Sequence, residues 1–416
     1  MATRLVAGTT VWRRQLDAVV DGLGPSGPLD STVRNILRVA LFEILHLGTP
    51  AHATVDEAVT ATRTLGKASA AGLVNALLRK ATRQRDAGQL YVPTATAADG
   101  AAKLSLAYSM PEWLVDRWIQ SYGAADTEQL LIASNRDSPA YGVRCIAGQG
   151  NAAAESASSV LDALQEMGVS ATASSMLPNH LVRVEGTLAP LAPHLRAGRY
   201  AIQDEAAALV VMLFAHDLGR GKKMADVCAA PGGKCLFAAW LGAHVTAVDS
   251  NPGRARLLKE AAEAQQLTHL VDVHVADARE WARDSHNGGT FDIVLVDAPC
   301  TGTGVMAKRA DLRWRRTPAD VDAAAGLQFE LLTSCSALVQ PGGCLVYSTC
   351  SLETEENEAV VDAFLASPQG AAFTLQPCAE IAAIPKRALS PDGRFLAPMP
   401  HKCGTDGAFG ARFLRR

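Results

Sequence analysis

The chain has no uninterrupted apolar run of about 18 residues, the length a helix needs to cross a bilayer, so no membrane span is predicted. It has no paired Cys-x-x-Cys spacing, and its nine cysteines are odd in number. That argues for reduced thiols and against a zinc cluster; His401-Lys402-Cys403 is left as an incidental half-site, and no metal is expected. There is no basic excess, because 39 Lys and Arg stand against 42 Asp and Glu. A generally basic nucleic-acid binder is thereby excluded, and any RNA contact must come from local patches. Two phosphate-binding signatures are missing as well. Gly232-Gly233-Lys234-Cys235 has neither the third glycine of a dinucleotide fingerprint nor the Ser or Thr that completes a phosphate loop.

What is present centres on Met224-Ala225-Asp226-Val227-Cys228-Ala229-Ala230-Pro231-Gly232-Gly233-Lys234. An apolar run breaks into Pro-Gly-Gly and resumes as Cys235 to Trp240, which reads as strand, tight loop and helix. The glycines allow the backbone close to a ligand, and free amides at the helix start favour an anionic group there. Next comes the strand Ala243 to Asp249, whose acidic end lies where a ribose would present its hydroxyls. Asp277 follows the alternating run Val271 to Val275, and Asp297 closes the apolar strand from Phe291. Any one of these acids reads equally well as the cap of the next helix. With Asp226 in the first strand they make four in register with the glycine loop, the pattern of an S-adenosylmethionine site, with Cys228, Ala229, Ala230, Pro231, Gly232, Gly233, Lys234, Asp249, Asp277 and Asp297 as the candidate cofactor contacts.

Two cysteines share that edge, in Asp297-Ala298-Pro299-Cys300-Thr301-Gly302-Thr303-Gly304 and in Leu345-Val346-Tyr347-Ser348-Thr349-Cys350-Ser351. Free cysteines are mostly small buried apolar residues, but both of these follow strands at the expected catalytic edge. With the glycine loop, Gln203-Asp204-Glu205-Ala206, Asp311-Leu312-Arg313-Trp314, Glu355-Glu356-Asn357-Glu358 and Asp406-Gly407-Ala408-Phe409, they resemble the RsmB/Sun family of ribosomal RNA cytosine-5 methyltransferases. The resemblance spans roughly residues 10 to 416.

The chemistry accounts for a pair of thiols. Carbon 5 of cytosine is a poor nucleophile, so a thiolate first adds to carbon 6 and makes the ring an enamine. The carbon 5 proton must later leave and the thiolate must be expelled. Sequence chemistry alone leaves open which cysteine does which. The resemblance implies that Cys350 is the nucleophile and that Cys300 assists release. It also implies that Asp297 contacts the base near ring nitrogen 3, where it must donate a hydrogen bond or share a proton. Lys234 is expected to lower a neighbouring thiol's pKa or to orient the base.

The fold expected is α/β. A Rossmann-like, doubly wound methyltransferase sheet over 200–416 is preceded by a helical and RNA-recognition-like module over 105–199, a linker over 89–104 and an all-α NusB-like domain over 1–88. Residues 3 to 85 resemble the later part of a NusB domain through Val11-Trp12-Arg13, Pro50-Ala51-His52-Ala53-Thr54-Val55-Asp56-Glu57-Ala58-Val59 and Gly72 to Arg79. The chain would then begin partway through that domain and leave an apolar face uncovered. Val33, Ile36, Leu37, Ala40, Leu41 and Ile44 recur at helical spacing after Asp30-Ser31, and Thr54-x-x-Glu57 has capping-box spacing ahead of a second helix. Pro111 starts a helix whose Trp113 and Trp118 are expected in the core. An amphipathic helix is expected over Ala152 to Met167. Lys308, Arg309, Arg313, Arg315 and Arg316 around Trp314 form the candidate RNA-facing patch.

The predicted activity is S-adenosylmethionine-dependent methylation of carbon 5 of a cytosine in RNA, with small-subunit ribosomal RNA as the expected substrate, by a monomer. Two alternatives stand beside it: an RNA-binding ribosome-assembly or antitermination-like factor with a vestigial catalytic domain, and a transfer RNA cytosine-5 methyltransferase. The expected location is the cytoplasm. The acid-poor opening, with Arg4, Arg13 and Arg14 before Asp17, is weakly like an organelle presequence, which in a eukaryote would point to a plastid or mitochondrion.

Overall fold

The computed structural model describes residues 2–25, 27–137, 139–146, 157–219, 221–284 and 290–416. The chain divides into two compact units, one made of Met1–Asp137 with Met306–Arg315 and the other of Ser138–Val305 with Arg316–Arg416. The division falls inside the 105–199 module read from the sequence.

The first unit is helical: α1 (Ala2–Val11), α2 (Arg13–Gly22), α3 (Ser31–Phe42), α4 (Ala51–Thr64), α5 (Ala71–Asp86), α6 (Ala101–Ala107), α7 (Glu112–Tyr122) and α8 (Ala124–Ser134). The Asp30 carboxylate caps α3 by accepting from the Thr32 and Val33 amides. One buried face of α3, carrying Val33, Ile36, Leu37, Ala40 and Leu41, packs with Leu16, Val19, Val55, Val74 and Leu78 into a single core. The capping box expected at Thr54 is not formed. Helix α4 starts a turn earlier at Ala51, with Pro50 in the cap position, and Thr54 is buried within it. A proline just ahead of the first turn needs no amide partner, so it outcompetes the later signal. Trp118 lies in the core, as its spacing predicted, while Trp113 is partly exposed.

The second unit holds two sheets. The smaller has β1 (Tyr141–Cys145), β2 (Ala171–Ala173), β3 (Leu181–Val184) and β4 (Tyr200–Ile202), all antiparallel in the order β2-β3-β1-β4. Helix α9 (Ala157–Glu166) packs Val160 and Leu164 against Val143, Val182 and Val184, and the short α10 (Ala192–Arg196) follows. Residues 152–156 of the helix expected from Ala152 lie outside the described residues.

The larger sheet has β5 (Lys223–Asp226), β6 (His244–Asp249), β7 (Val271–Val275), β8 (Phe291–Asp297), β9 (Val339–Thr349), β10 (Phe373–Gln376) and β11 (Phe409–Arg415). Their order is β10-β11-β9-β8-β5-β6-β7, parallel from β7 to β9, with β11 antiparallel to β9. Helices α11 (Glu205–Met212), α12 (Gly233–Trp240) and α13 (Pro252–Ala264) belong to this unit, as do α14 (Ala278–Arg283), α16 (Pro318–Cys335) and α17 (Glu358–Ala366); the short α15 (Leu312–Arg315) belongs to the first unit. Separate apolar clusters contain Phe237, Leu258 and Val346 in one case and Leu332, Phe364 and Tyr347 in the other, because consecutive residues of a buried strand point to opposite faces. With both faces covered, the open positions are the strand ends. The strand order reverses between β5 and β8, and a ligand crevice lies outside the carboxyl ends at such a point.

Candidate active site

Asp226, Asp249 and Asp297 end β5, β6 and β8, and Thr349 ends β9 immediately before Cys350. From β5 the chain passes through Val227 to Pro231 and turns at Gly232, whose φ of +111° only glycine adopts without strain. Helix α12 begins at the next residue and carries Lys234 in its first turn. The Ala229 amide donates to the Val248 carbonyl at 3.0 Å, and the Gly232 amide to the Ala229 carbonyl at 2.8 Å. Asp249 is buried and pins the loop from the other side, its Oδ2 accepting from the Ala230 amide at 3.2 Å. Its Oδ1 takes the Asn251 amide at 2.9 Å and Arg254 at 3.0 Å. Asp277 caps α14 through the Arg279 amide and binds the Arg279 guanidinium, which pulls its carboxyl down to about 2. The capping role that sequence allowed for these acids is therefore real at Asp277. Cys228 is partly exposed, with its thiol pushed well above the ordinary range by burial of the sulfur.

Cys300 and Cys350 meet. Their Sγ atoms are 3.2 Å apart, and the Cys350 amide also donates to Cys300 Sγ at 3.4 Å. Gly304 permits this approach, since a Cβ there would stand 2.8 Å from both the Cys350 and Gly407 carbonyl oxygens. The two thiols are driven in opposite directions. The sulfur–sulfur hydrogen bond, aided by the positive charge of Lys234, lowers Cys350 against the opposing effect of burial. The same bond and burial raise Cys300 well above its ordinary value. Of the two sulfurs, Cys350 is thus the one whose thiolate is favoured and Cys300 the one whose thiolate is opposed.

Lys234 Nζ donates to Asp297 Oδ2 at 2.6 Å, and Ser348 Oγ donates to Asp297 Oδ1 at 2.7 Å. Burial alone would depress the ammonium; the charge and hydrogen bond of Asp297 outweigh it and hold Lys234 above its usual value. Asp297 is therefore an acceptor on both oxygens, and the shareable proton at this position sits on Lys234. Asp226, counted among the four strand-end acids, was left out of the candidate cofactor contacts. It is buried, and desolvation together with the Asp297 charge pushes its carboxyl up to about 8. Its Oδ1 and the Nε2 of Gln203 are buried polar atoms without a partner. Gln203 Nε2 lies 4.0 Å from where a Cβ on Gly233 would stand. A glycine turn edged by unsatisfied polar atoms fits a small polar ligand such as S-adenosylmethionine. Among the described residues no group of three or more His, Cys, Asp or Glu could hold a metal, and no helix is long and apolar enough to cross a membrane.

The basic patch does not stand as one surface. Arg313 has no exposed area; its guanidinium donates to Asn135 Oδ1 at 2.7 Å and to the Ser134 carbonyl at 3.1 Å inside the first unit. Trp314 Nε1 donates to the Thr10 carbonyl at 2.6 Å, with Arg13 5.6 Å from the ring centre. Arg316, partly buried in the second unit, donates to the Thr301 carbonyl at 2.9 Å. Lys308 is partly buried, while Arg309 and Arg315 are exposed, Arg315 with Asp311 3.2 Å away. Arg313 and Trp314 are thus structural anchors.

The sheet order, the antiparallel β11 beside β9 and the glycine turn after β5 define the Rossmann-like fold of an S-adenosylmethionine-dependent methyltransferase. Comparison with known proteins agrees. The family model described as 16S rRNA methyltransferase RsmB/F matches residues 214–414, a NusB family model residues 1–83, and an RsmF/B-like ferredoxin-like domain residues 110–187. The Mycobacterium tuberculosis protein Rv1407 is 34% identical over 429 residues, covering 100% of this chain and 88% of its own. Ribosomal RNA small subunit methyltransferase B of Pseudomonas putida is 32% identical over 376 residues, 88% of this chain and 81% of that one. The crystal structure of PH0851 superposes with a TM-score of 0.79 at 26% identity, over 99% of this chain and 89% of that chain. The chain belongs to the RsmB/F family and is a methyltransferase acting on RNA, with S-adenosylmethionine as cofactor.

Replacing Cys300 with Ala removes the donor that lowers Cys350, so the pH midpoint of Cys350 alkylation by iodoacetamide, followed by mass spectrometry, moves upward. An unchanged or lower midpoint would rule out the sulfur–sulfur bond as the cause. Arg313→Ala leaves two buried acceptors without their charged donor and is expected to cost about 2–3 kcal/mol in urea unfolding. Arg309→Ala and Arg315→Ala should leave unfolding unchanged; equal loss in all three would contradict the anchor role.

Proposed function

We propose that this protein methylates carbon 5 of a cytosine in small-subunit ribosomal RNA through a covalent adduct with Cys350. The observation that carries the reading is the pair of oppositely tuned thiols 3.2 Å apart beside the Lys234–Asp297 ion pair. The small-subunit substrate rests on the description of the family and the name of the Pseudomonas putida relative. The Ala229 to Gly233 turn, Asp226, Asp249 and Asp277 would hold the cofactor. When bound, S-adenosylmethionine supplies an electrophilic methyl group on a sulfonium.

The chain's own residues account for the remaining steps. Cys350 thiolate adds to carbon 6 of an unpaired or flipped cytosine, and negative charge develops toward ring nitrogen 3. Lys234, fixed by Asp297, offers its Nζ proton to that charge, which an unaccompanied carboxylate could not do. Carbon 5 then has enamine character and is the nucleophile for the methyl. The carbon 5 proton then passes to solvent water, its C–H electron pair restores the carbon 5–carbon 6 double bond, and the carbon–sulfur bond breaks with its pair returning to Cys350. Cys300, kept as a thiol, donates its S–H to the departing thiolate and restores the resting pair.

The test is transfer of a labelled methyl group from S-adenosylmethionine to unmodified small-subunit ribosomal RNA, with the product mapped at base resolution. Wild type should yield 5-methylcytosine, Cys350→Ala none, and Cys300→Ala a trapped protein–RNA adduct resistant to denaturant. Methylation by Cys350→Ala, or at another atom, would sink the mechanism; product on transfer RNA alone would sink the substrate. Asp249→Ala frees the Ala230 amide from its anchor and should weaken S-adenosylmethionine binding in calorimetry by about tenfold, some 1.4 kcal/mol. Unchanged affinity would remove Asp249 from the cofactor site.

A further inference from the structure

Beneath the two cysteines lies a carboxylate that the mechanism above does not use. Glu356 has no exposed surface, and its side chain is surrounded by neutral donors. Oε2 accepts from the Thr301 amide at 2.9 Å and from Gln328 Nε2 at 2.9 Å. Oε1 accepts from the Ser351 hydroxyl at 2.5 Å and from the Thr301 hydroxyl. Burying a carboxylate without a cation is costly, and satisfying both oxygens with neutral donors only reduces that cost. A neutral side chain would be the cheaper way to fill this space.

The identity of the partners explains the arrangement. Thr301 is the residue after Cys300, and Ser351 is the residue after Cys350. One side chain therefore grips both cysteine loops at the position nearest each sulfur, while Gln328 ties the same carboxylate to α16. The grip is itself held, since the buried Tyr347 hydroxyl donates to the Glu356 carbonyl at 2.5 Å. The neighbouring Asn357 braces only the Cys350 loop: its Oδ1 accepts from the Thr349 hydroxyl at 2.6 Å, and its Nδ2 donates to the Ser351 carbonyl at 2.9 Å. Of these two side chains, Glu356 is the one that spans both loops.

We propose that Glu356 is a positioning residue that fixes the distance between the Cys300 and Cys350 sulfurs and so maintains their mutual hydrogen bond. It touches neither substrate nor cofactor and acts through Thr301 and Ser351. Two acceptor oxygens are needed because donors arrive from both loops. Glutamine offers a single acceptor oxygen. Its NH2 group can face only the Thr301 and Ser351 hydroxyls, which can turn to accept, since the amide donors on the other side cannot. Alanine removes both acceptors: the Thr301 amide loses its partner, Gln328 Nε2 keeps only the Pro299 carbonyl at 2.9 Å, and the Thr301 and Ser351 hydroxyls, 3.2 Å apart, are left to each other.

The proposal rests on the cytosine-5 reading, and its test begins with a readout independent of RNA. Oxidised glutathione converts neighbouring thiols to an internal disulfide: Cys300 and Cys350 lose two protons and two electrons, and one glutathione disulfide becomes two glutathione thiols. The rate of that closure, read by mass spectrometry on the full chain, reports the sulfur separation directly. Glu356→Ala should slow closure about 100-fold, raise the pH midpoint of Cys350 alkylation, and lower kcat for methyl transfer by about 100-fold while the KM for RNA stays within about twofold. Glu356→Gln should fall between wild type and alanine, and Glu356→Asp, which keeps two acceptors, should recover part of the loss. If the alanine variant fails to fold, the glutamine and aspartate variants carry the comparison. Wild-type closure and alkylation in a folded variant, or activity lost only in proportion to the unfolded fraction, would overturn the proposal. Normal closure changes in Glu356 variants of a wild type that makes no 5-methylcytosine would instead overturn the cytosine-5 reading and leave the positioning role standing.

Discussion

The parallel pairing of β8 with β9 is the constraint from which the catalytic edge follows. Val296 pairs with Tyr347 and Asp297 with Ser348, and the Ser348 hydroxyl closes on the Asp297 carboxylate across that register. Cys300 lies three residues beyond one strand's end and Cys350 two residues beyond the other's pairing partner. A slip of one residue would turn Asp297 to the opposite face and part it from Lys234. The apolar residues of both strands are buried on both faces, so such a slip would exchange the contents of two cores at once. Packing far from the reacting atoms thus selects the geometry at them.

Two chemically identical side chains acquire different proton affinities through their surroundings alone. The hydrogen bond between the sulfurs favours charge on Cys350 and opposes it on Cys300, and Lys234 adds to the first effect. The same ammonium remains protonated in a buried place because Asp297 faces it at 2.6 Å. Asp226, with no such partner on Oδ1, goes the other way and is kept largely neutral near pH 7. Three acids at one sheet edge therefore serve differently: one holds a cation, one pins a loop and one is a neutral acid.

Much of this was legible in the sequence, for identifiable reasons. Strands β5, β6 and β8 show as apolar runs ending in Asp, β7 as an alternating run with Asp277 two residues beyond it, and the Pro-Gly-Gly break marks the turn. The placing of Cys300 and Cys350 at one sheet edge was read from the strands they follow, whereas their direct contact depends on β8 and β9 being neighbours. Other features were not legible. Arg313 and Trp314 resemble any basic and aromatic surface stretch, and only the tertiary structure shows that Ser134, Asn135 and Thr10 take up their donors. Thr54 carried a valid local signal that Pro50 overrode one turn earlier. Glu356 stood within one of the motifs that carry the family resemblance, with no role read for it. Its burial depends on Thr301, Ser351 and Gln328 converging from separate segments, which no local window contains.

The segment Met306–Arg315 leaves the sheet-bearing unit and completes the helical one, where Arg313 bonds Asn135 and Trp314 bonds Thr10. The helical unit is therefore discontinuous in the chain, and this has a bearing on biosynthesis. Its first 137 residues emerge from the ribosome well before the strand of chain that satisfies the Ser134 carbonyl and the Asn135 side chain exists. At elongation rates of about 5–20 residues per second, the nascent helices wait roughly ten to forty seconds for their final part. Throughout that interval most of the second unit is being made, and when the helical unit has received its last segment the larger sheet still awaits β9, β10 and β11.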